Sequence, residues 1–258
     1  MKAKRLNNID DSKENAIAIV LAAGCGKRMG GKLPKQYAEV EGRTVLSYTL
    51  EKFEKHPEIG AVIVVCGRGY KKKIDAICKE HGFSKVKPAV FGGADRRESS
   101  ETGVLYAEKL AADPRFGGNG TPEECIVLIH DGVRPNVSDR IISDNIRLAK
   151  KYGACVTAAR SIDTVIVSEC GETVDGTLPR SKLWNVQTPQ SFRLGVIAAA
   201  HRFYNGHKAG GELPEITDDG GLVRFMGGTV AICESDRDNL KLTLPEDMIV
   251  FRENVRRS

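Results

Sequence analysis

The apolar and polar positions along the chain fall into two alternating kinds of segment. Short, almost wholly apolar runs rich in β-branched residues predict strands buried on both faces, at residues 16–23, 59–65, 85–91, 125–130 and 154–159. Between them, apolar residues recur three or four positions apart, which predicts helices at residues 44–55, 70–81, 100–110 and 138–152. Ser138 is suited to cap the last of these helices. Strands that alternate with helices predict an α/β fold, a parallel sheet with helices on both faces.

The alternation breaks after residue 160. Residues 163–168 and 172–178 flank a short Cys170-Gly171 turn and predict a hairpin, so we expect a β-arm inserted over about residues 160–182. A projecting arm exposes strand edges, which commonly pair with another subunit, and we therefore expect it to mediate dimerisation. The alternation then resumes with a helix, a glycine-rich loop, a strand and a final helix, at residues 194–203, 205–212, 229–233 and 245–255.

Composition narrows the class of protein. The 258 residues are 41% hydrophobic and 28% charged, which is typical of a globular chain and excludes wholesale disorder. The longest uninterrupted apolar run covers only residues 16–23, whereas a membrane-spanning helix needs about 20 residues, so we expect no membrane partner. The net charge of +5 is too small to indicate nucleic acid, but it suits an anionic small-molecule substrate.

The cysteines and the N-terminus bear on location. Seven cysteines are scattered along the chain without a C-x-x-C pair, and an odd number cannot all form disulfides within one chain. We interpret them as reduced thiols of a cytoplasmic protein, and we expect no zinc site because no Cys/His cluster has ligand spacing. Residues 1–15 are polar and lack the apolar segment of a signal peptide. We expect a flexible extension there and a single domain over residues 16–258.

The first candidate site is the glycine-rich, basic loop after the first predicted strand. Residues 21–30 read LAAGCGKRMG, and ligands of open α/β sheets bind at the carboxyl ends of strands, where glycines let the backbone approach a phosphate. Met29 stands where a dinucleotide-binding loop needs its third glycine, and Leu33 replaces the hydroxyl of a P-loop. Arg28 and Lys35 supply two cations that suit phosphoryl or nucleotidyl transfer, in which charge builds on the phosphate oxygens. Alternatively, both are solvated surface residues.

Two further segments follow predicted strands. Residues 92–99 read GGADRRES, whose exposed backbone and hydroxyl suit the reading of a base edge, although a helix start with surface charges explains them equally well. Residues 130–135 read HDGVRP. Here the Asp131 carboxylate suits Mg²⁺ and Arg134 suits a phosphate, while the alternative role of Asp131 is to cap a helix or turn. Residues 238–247 hold a third polar segment that alone indicates no function.

Taken in order, these segments resemble the 2-C-methyl-D-erythritol 4-phosphate cytidylyltransferase family. The resemblance rests on LAAGCGKRMGGKLPKQY, HDGVRP, RSKLWNVQTPQSF, ITDD and NLKLTLPED, and it spans residues 16–253. The first loop is typical of sugar nucleotidyltransferases in general, whereas HDGVRP with RSKLWNVQTPQSF is specific to cytidylyltransferases acting on polyol phosphates. The resemblance implies a Rossmann-like α/β nucleotidyltransferase sheet with helices on both faces, a protruding β-arm, a homodimer, CTP as substrate, Mg²⁺ and a role in isoprenoid precursor synthesis.

The resemblance also implies which residues contact the nucleotide. The backbone implied to hold the triphosphate lies at five successive positions, Ala22, Ala23, Gly24, Cys25 and Gly26. The residues implied to read cytosine, or to lie in the same loop, are Gly93, Ala94, Arg96 and Ser99. The cations implied to stabilise the transition state are Arg28, Lys35 and Lys241.

Other matching positions imply contacts with the second substrate and the metal. Asp131 would bind Mg²⁺ and, with Arg134, would lie near the substrates. On the arm, Thr164 and Arg180 would reach the polyol phosphate bound by the partner subunit. Thr188 would complete the pocket.

Departures from the family pattern leave the polyol open. Gly132-Val133 replaces the more usual Ala-Ala, and this form also occurs in ribitol-5-phosphate cytidylyltransferases, which makes ribitol 5-phosphate the alternative substrate. Leu183-Trp184 favours the methylerythritol enzyme. Ala94 stands where the family often has an acidic residue, which matters little if the backbone contacts cytosine. The missing third glycine disfavours a nucleotide-dependent oxidoreductase, and the full set of implied cations disfavours a non-catalytic nucleotide-binding protein.

Overall fold

The structure is a computed structural model that describes residues 16–24, 33–113, 121–208, 213–236 and 238–257. The predicted extension at residues 1–15 lies outside the described residues. So do Cys25, Gly26 and Arg28 of the glycine-rich loop.

Strands and helices alternate through most of the described chain. The strands are β1 (Ala16–Ala22), β2 (Glu39–Val40), β3 (Arg43–Thr44), β4 (Ile59–Cys66), β5 (Val90–Phe91), β6 (Ile126–Asp131), β7 (Ala154–Arg160), β8 (Ile166–Val167), β9 (Gly176–Thr177), β10 (Trp184–Arg193) and β11 (Ala231–Glu234). The α-helices are α1 (Val45–Lys55), α2 (Lys71–His81), α3 (Arg96–Ala111), α4 (Asp139–Tyr152), α5 (Leu194–His207), α6 (Asp219–Phe225) and α7 (Pro245–Arg257). The α/β fold class predicted from the sequence is confirmed.

A seven-stranded sheet with the order β11-β7-β10-β6-β1-β4-β5 forms the centre of the molecule. It is parallel except at β10, which runs antiparallel to both β6 and β7. The expectation of a parallel sheet is therefore wrong for β10. The physical reason is the connection: the chain leaves β7 into the arm and returns without a crossover helix, so it re-enters the sheet in the opposite direction.

Helices cover both faces of this sheet, as predicted. Alternate residues of β1 point to opposite faces, so Ala18 and Val20 pack with α1, α2 and α4, while Ile17 and Ile19 pack with α3, α5 and α6. Gly103 lets α3 lie close to the sheet, because a Cβ there would sit 2.4 Å from the Ile19 side chain. Helix α7 packs separately through Phe251, against α1 and the segment that follows β6.

Several predicted boundaries shift. Helix α3 begins at Arg96 rather than at residue 100, because the Asp95 side chain caps it by accepting the N–H of Glu98. The strand predicted at residues 85–91 shrinks to β5 and an isolated bridge at Val86, since Pro88 has no N–H to donate. Helix α5 extends past the predicted start of the following loop, and the sequence pattern predicts neither β10 nor α6.

The predicted arm is present as a short antiparallel hairpin of β8 and β9. Its apolar side chains are exposed in the single chain, including Ile162 (75% exposed), Ile166 and Val174. A two-stranded hairpin is marginally stable alone in water, so these side chains favour burial against another surface. Among the described helices, none has the length and apolar character to cross a membrane.

Candidate active site

Asp131, the last residue of β6, sits at the carboxyl edge of the sheet with three cations around it. Lys241 Nζ lies 3.0 Å and Arg134 Nε 3.3 Å from the same carboxylate oxygen, Oδ2. Arg96 adds a third positive charge in the vicinity. Asp131 and Arg134 are buried, whereas the Lys241 side chain is 39% exposed and can reach a ligand.

These cations set the protonation state of the site. Burial alone would raise the pKa of Asp131, but Lys241, Arg96 and Arg134 outweigh it and hold the pKa well below its usual range. Burial lowers the pKa of Arg134, and the Asp131 carboxylate partly offsets this effect. Asp131 is consequently ionised at neutral pH and can bind a hard cation.

A chain of hydrogen bonds fixes Asp131 from behind. Its backbone N–H donates to Thr188 Oγ1 at 3.0 Å, and Thr188 Oγ1 lies 3.1 Å from His130 Nδ1. His130 Nε2 lies 3.0 Å from the carbonyl of Arg134, which can only accept. Nε2 therefore carries a proton, and in the neutral ring Nδ1 accepts from the Thr188 hydroxyl. Burial is the main reason that the pKa of His130 is lowered to about 4.

The segment that carries Lys241 is tied to β10 and to the segment that follows β6. Arg134 Nη1 donates to the Asn239 carbonyl at 2.9 Å, and the Leu242 N–H donates to the Val133 carbonyl at 2.9 Å. Asn239 is fully buried, and its Nδ2 donates to the Thr188 carbonyl at 2.9 Å. The ammonium group of Lys241 is thus presented from an anchored backbone.

Arg96 occupies a different place from the one expected. It lies in the first turn of α3 rather than in a loop, and its Nη2 pairs with Asp219 Oδ2 at 2.8 Å. Asp219 is fully buried at the start of α6 and also accepts the Ser100 hydroxyl. Burial would lower the pKa of Arg96, but Asp219 and then Asp131 raise it. Arg96 therefore links α6 electrostatically to the Asp131 cluster.

A cleft of about 440 Å³ opens beside this ion pair. Asp95, Arg96 and Arg97 line one part of it, and residues 213–219 line another part. The cleft brings solvent to the Arg96 side of the site.

The two segments implied to bind the nucleotide lie against each other. A Cβ on Gly92 would come within 2.6 Å of both the Ala23 Cβ and Ser99 Oγ, so glycine is required for this contact. Ser99 is buried and donates to the Asp95 carbonyl at 2.8 Å, which leaves its oxygen able to accept. Gly93 and Ala94 are exposed, and the Ala94 N–H is held by Glu98 Oε2 at 2.9 Å.

The described part of the glycine-rich loop is held by Gln36. Its Nε2 donates to the carbonyls of Ala22 and Gly24, at 2.7 and 2.8 Å. Lys35 precedes Gln36 in a 3-10 turn (Lys35–Tyr37). Burial would raise the pKa of Asp247 at the start of α7, but hydrogen bonds from Leu244 and Thr243, and last the charge of Lys35, lower it. Cys25, Gly26 and Arg28 are not among the described residues, so their predicted roles stay predictions.

The structure gathers most of the described candidates, but not those on the arm. Thr164 and Arg180 are exposed there, and Arg180 Nη1 donates to the Ile162 carbonyl of the same arm at 3.2 Å. Thr188 is buried, and its hydroxyl is occupied by Asp131 and His130 rather than exposed to a pocket.

Sequence reasoning missed the residues that hold the candidates in place. They are all polar, buried and part of the motifs quoted above: Gln36, His130, Gln190, Asp219 and Asn239. Their position within those motifs was an available signal. Their partners lie far along the chain, however, and only the fold reveals them.

The sheet, the glycine-rich segment and the cation-lined carboxylate define an α/β enzyme of the nucleotidyltransferase class. The family model for 2-C-methyl-D-erythritol 4-phosphate cytidylyltransferase matches residues 16–257. The chain belongs to this family.

Individual proteins agree with the family model. A 2-C-methyl-D-erythritol 4-phosphate cytidylyltransferase of Alkaliphilus oremlandii is 37% identical over 239 residues, covering 91% of this chain and 92% of that protein. A protein of the same name from Geobacter metallireducens is 38% identical, covering 90% of this chain and 94% of that protein. The crystal structure of 4-diphosphocytidyl-2C-methyl-D-erythritol synthase from Anaerococcus prevotii superposes with a TM-score of 0.75 at 30% identity, covering 94% and 97% of the two chains.

Proposed function

We propose that this chain transfers the cytidylyl group of CTP to 2-C-methyl-D-erythritol 4-phosphate at the sheet edge where β1, β4 and β6 end. The products are 4-diphosphocytidyl-2-C-methyl-D-erythritol and pyrophosphate, in a step of isoprenoid precursor synthesis. The observation that carries this function is the convergence of Arg96, Arg134 and Lys241 on Asp131 in a member of this family. The family assignment favours this polyol over ribitol 5-phosphate, the alternative that the sequence leaves open.

The chemistry needs alignment and charge neutralisation more than proton transfer. A phosphate monoester has a second pKa near about 6, so at neutral pH the attacking oxygen is already ionised and needs no general base. That oxygen forms a bond to the α-phosphorus of CTP while the bond to the bridging oxygen breaks, and the electron pair leaves with pyrophosphate. Two anions must meet in line, so fixed cations are the main requirement.

The nucleotide roles implied by the family become proposals for this chain. Backbone groups of residues 22–26, with Arg28, hold the triphosphate, and Lys35 joins Arg28 and Lys241 in stabilising the transition state. Gly93, Ala94 and Ser99 read cytosine, supported by the contact between Gly92 and Ala23. For Arg96, the ion pair with Asp219 supports a role in orienting the cation cluster instead of reading the base.

The second substrate approaches the exposed side of the Asp131 cluster. Lys241 and Arg134 supply positive charge for its phosphate, supported by their distances from Asp131. Thr188 supports this side of the site through its hydrogen bonds to Asp131 and His130, and not by direct contact with substrate.

Asp131 also suits a magnesium ion that is held partly by substrate. No group of three His, Cys, Asp or Glu side chains that could hold a metal ion occurs in the described ranges. Mg²⁺ typically binds through one or two carboxylates together with waters and substrate phosphates, so a single ionised carboxylate fits it. Asp131 would hold the ion, which when bound would neutralise charge on the phosphates.

We also propose a cytoplasmic homodimer in which the exposed arm completes the partner's site. Thr164 and Arg180 are exposed on the arm, and the apolar side chains around them are exposed as well. In a two-fold dimer each arm would carry these two residues to the polyol phosphate bound by the partner. Residues 16–258 then act as a single nucleotidyltransferase domain, with the arm at about residues 160–182 inserted.

Pyrophosphate release tests the reaction directly. The protein is assayed with CTP and Mg²⁺ against 2-C-methyl-D-erythritol 4-phosphate and ribitol 5-phosphate in parallel, and we expect turnover with the first. Replacing one preplaced electrostatic donor costs about 10²–10³ in rate in other enzymes, so Arg28→Ala and Lys35→Ala should each lose at least that much.

Two results would contradict these assignments. Faster turnover with ribitol 5-phosphate would overturn the polyol. Near-normal turnover in both variants would overturn the roles of Arg28 and Lys35.

A further inference from the structure

Gln36 joins two parts of the proposed site that come from separate segments of the chain. Its side chain is buried, and one amide nitrogen donates to the carbonyls of Ala22 and Gly24, which lie 14 and 12 residues earlier. The next residue towards the N-terminus is Lys35, the proposed catalytic cation. Residues 22–24, where the glycine-rich loop begins, and Lys35 are thus connected through a single side chain.

The chemistry of this contact selects glutamine. A primary amide carries two N–H donors on one nitrogen, which is what two neighbouring carbonyl oxygens require. A glutamate of the same shape has only acceptors and would face both carbonyls with negative charge. Asparagine has the same donors but is one methylene shorter, so it reaches less far.

The contact also orients the backbone of the loop. A peptide unit is planar and trans, so the N–H of Ala23 points opposite to the Ala22 carbonyl that Gln36 holds. The Ala23 N–H is therefore turned away from the Lys35–Tyr37 turn, at the carboxyl end of β1. Backbone N–H groups at such a strand end are the groups that bind phosphates.

The turn that carries Gln36 is itself anchored. Tyr37 is buried and stacks on Tyr70, with ring centroids 4.5 Å apart and an interplanar angle of 8°. The Ala38 carbonyl accepts the N–H of Val45 at the start of α1. Gln36 is therefore itself held in a fixed position while it binds the carbonyls of Ala22 and Gly24.

We propose that Gln36 is a positioning residue for cytidylyl transfer, one that locks residues 22–24, where the glycine-rich loop begins, and Lys35 into a single arrangement before CTP binds. It touches neither substrate. This inference rests on the proposed roles of the loop and of Lys35.

Gln36→Met tests the proposal, because methionine keeps length and apolar burial but removes both donors. Misplacement by about 1 Å can cost about 10²-fold, so we expect kcat/KM for CTP to fall about 10- to 100-fold while KM for the polyol phosphate stays within about twofold. Calorimetric titration of CTP should show weaker binding. Gln36→Glu should lose more, and Gln36→Asn should lie between Gln36→Met and the unaltered protein.

Asn145→Leu is the matched control. Asn145 is also a buried amide, and its Nδ2 donates to the Ile141 carbonyl and to Thr157 Oγ1 within α4 and β7. The Asn145→Leu variant should have a lower melting temperature, while kcat and KM keep the same proportion as in the unaltered protein. A merely structural role for Gln36 would give the same pattern as this control.

The outcomes separate this inference from the proposed function. Wild-type values of kcat and CTP affinity in folded Gln36→Met, or in Gln36→Glu if the methionine variant does not fold, overturn the inference. If Lys35→Ala is impaired while the Gln36 variants are normal, only the positioning role fails. If Lys35→Ala has normal turnover while Gln36→Met binds CTP weakly, the proposed role of Lys35 is wrong, and the proposal that Gln36 positions residues 22–24 is supported.

Discussion

At the scale of single residues, His130 shows how a buried neutral group makes stability depend on pH. The unfolded chain takes up a proton at this histidine near pH 6.5, whereas the folded chain does so only near pH 4. Between these values acid favours the unfolded state, so the free energy of unfolding decreases as the pH falls. The depressed pKa of Asp131 acts in the same direction, but only below the usual carboxylate range.

We predict that His130→Gln removes most of this acid sensitivity. A shift from 6.5 to about 4 corresponds to on the order of 3 kcal/mol, which the unaltered protein should lose between those pH values. His201, whose pKa burial also lowers, keeps its own contribution in the variant. Urea denaturation at a series of pH values measures the slope. Equal slopes in both proteins would show that His130 is not the responsible group.

Residue types and motifs predicted the candidate site residues, but not the buried residues that hold them in position. Asp131, Arg134 and Lys241 follow from the motifs, and they do converge in the fold. The hydrogen bond between His130 and Thr188 joins residues 58 positions apart in sequence, and it depends on the pairing of β10 with β6. Local patterns do not encode such pairings, so these roles could not be assigned.

At the scale of elements, one buried carboxylate ties α6 to α3. Asp219 pairs with Arg96 and accepts the Ser100 hydroxyl, both from α3. Gln190 of β10 accepts the N–H groups of Asp219 and Gly220 at the start of α6. Helix α6 is therefore attached both to the sheet and to the helix that carries a cation of the site.

We predict that Asp219→Asn destabilises the protein by about 2 kcal/mol. Breaking a fully buried ion pair costs about 3–5 kcal/mol, and the cost here is smaller because the Arg96 side chain is 30% exposed. Glu108→Gln, which breaks the surface pair with Arg202, is the control and should change stability by less than about 1 kcal/mol. Equal effects in urea denaturation would contradict the structural weight given to Asp219.

The strands differed in how clearly the sequence predicts them. Continuously apolar runs predicted β1, β4, β6 and β7 to within one or two residues. Strand β10 escaped prediction because its first half is half-buried or exposed and its sequence, WNVQTPQSFR, is largely polar. It is stabilised by neighbours on both sides, and this tertiary effect has no signature in local periodicity.

At the scale of the whole molecule, the proposed shared site can be tested by mixing chains. In a dimer of one Arg180→Ala chain and one Lys35→Ala chain, one site combines both defects and the other has neither. Random exchange of equal amounts places half the chains in such dimers, so we predict about a quarter of wild-type activity from two nearly inactive proteins.

Subunit exchange must be verified independently, for example by mass spectrometry of differently tagged chains. Each variant alone is the control. Verified exchange without recovery of activity would contradict a site built from both chains.

The root of the arm and the part of the proposed active site behind Asp131 are consecutive stretches of one strand, β10. Trp184 pairs with Arg160 at the root of the arm, and the same strand reaches Thr188 behind Asp131 and then Gln190 beside Ile129. An irregularity in register between Val186 and Gln190 already sets the face on which the later side chains lie, so adding or deleting one further residue in this stretch would turn them to the opposite face of the sheet. The tip between β8 and β9 has no such restriction. Related enzymes should therefore vary in length at the tip of the arm, while the span from Trp184 at its root to Gln190 keeps a constant number of residues.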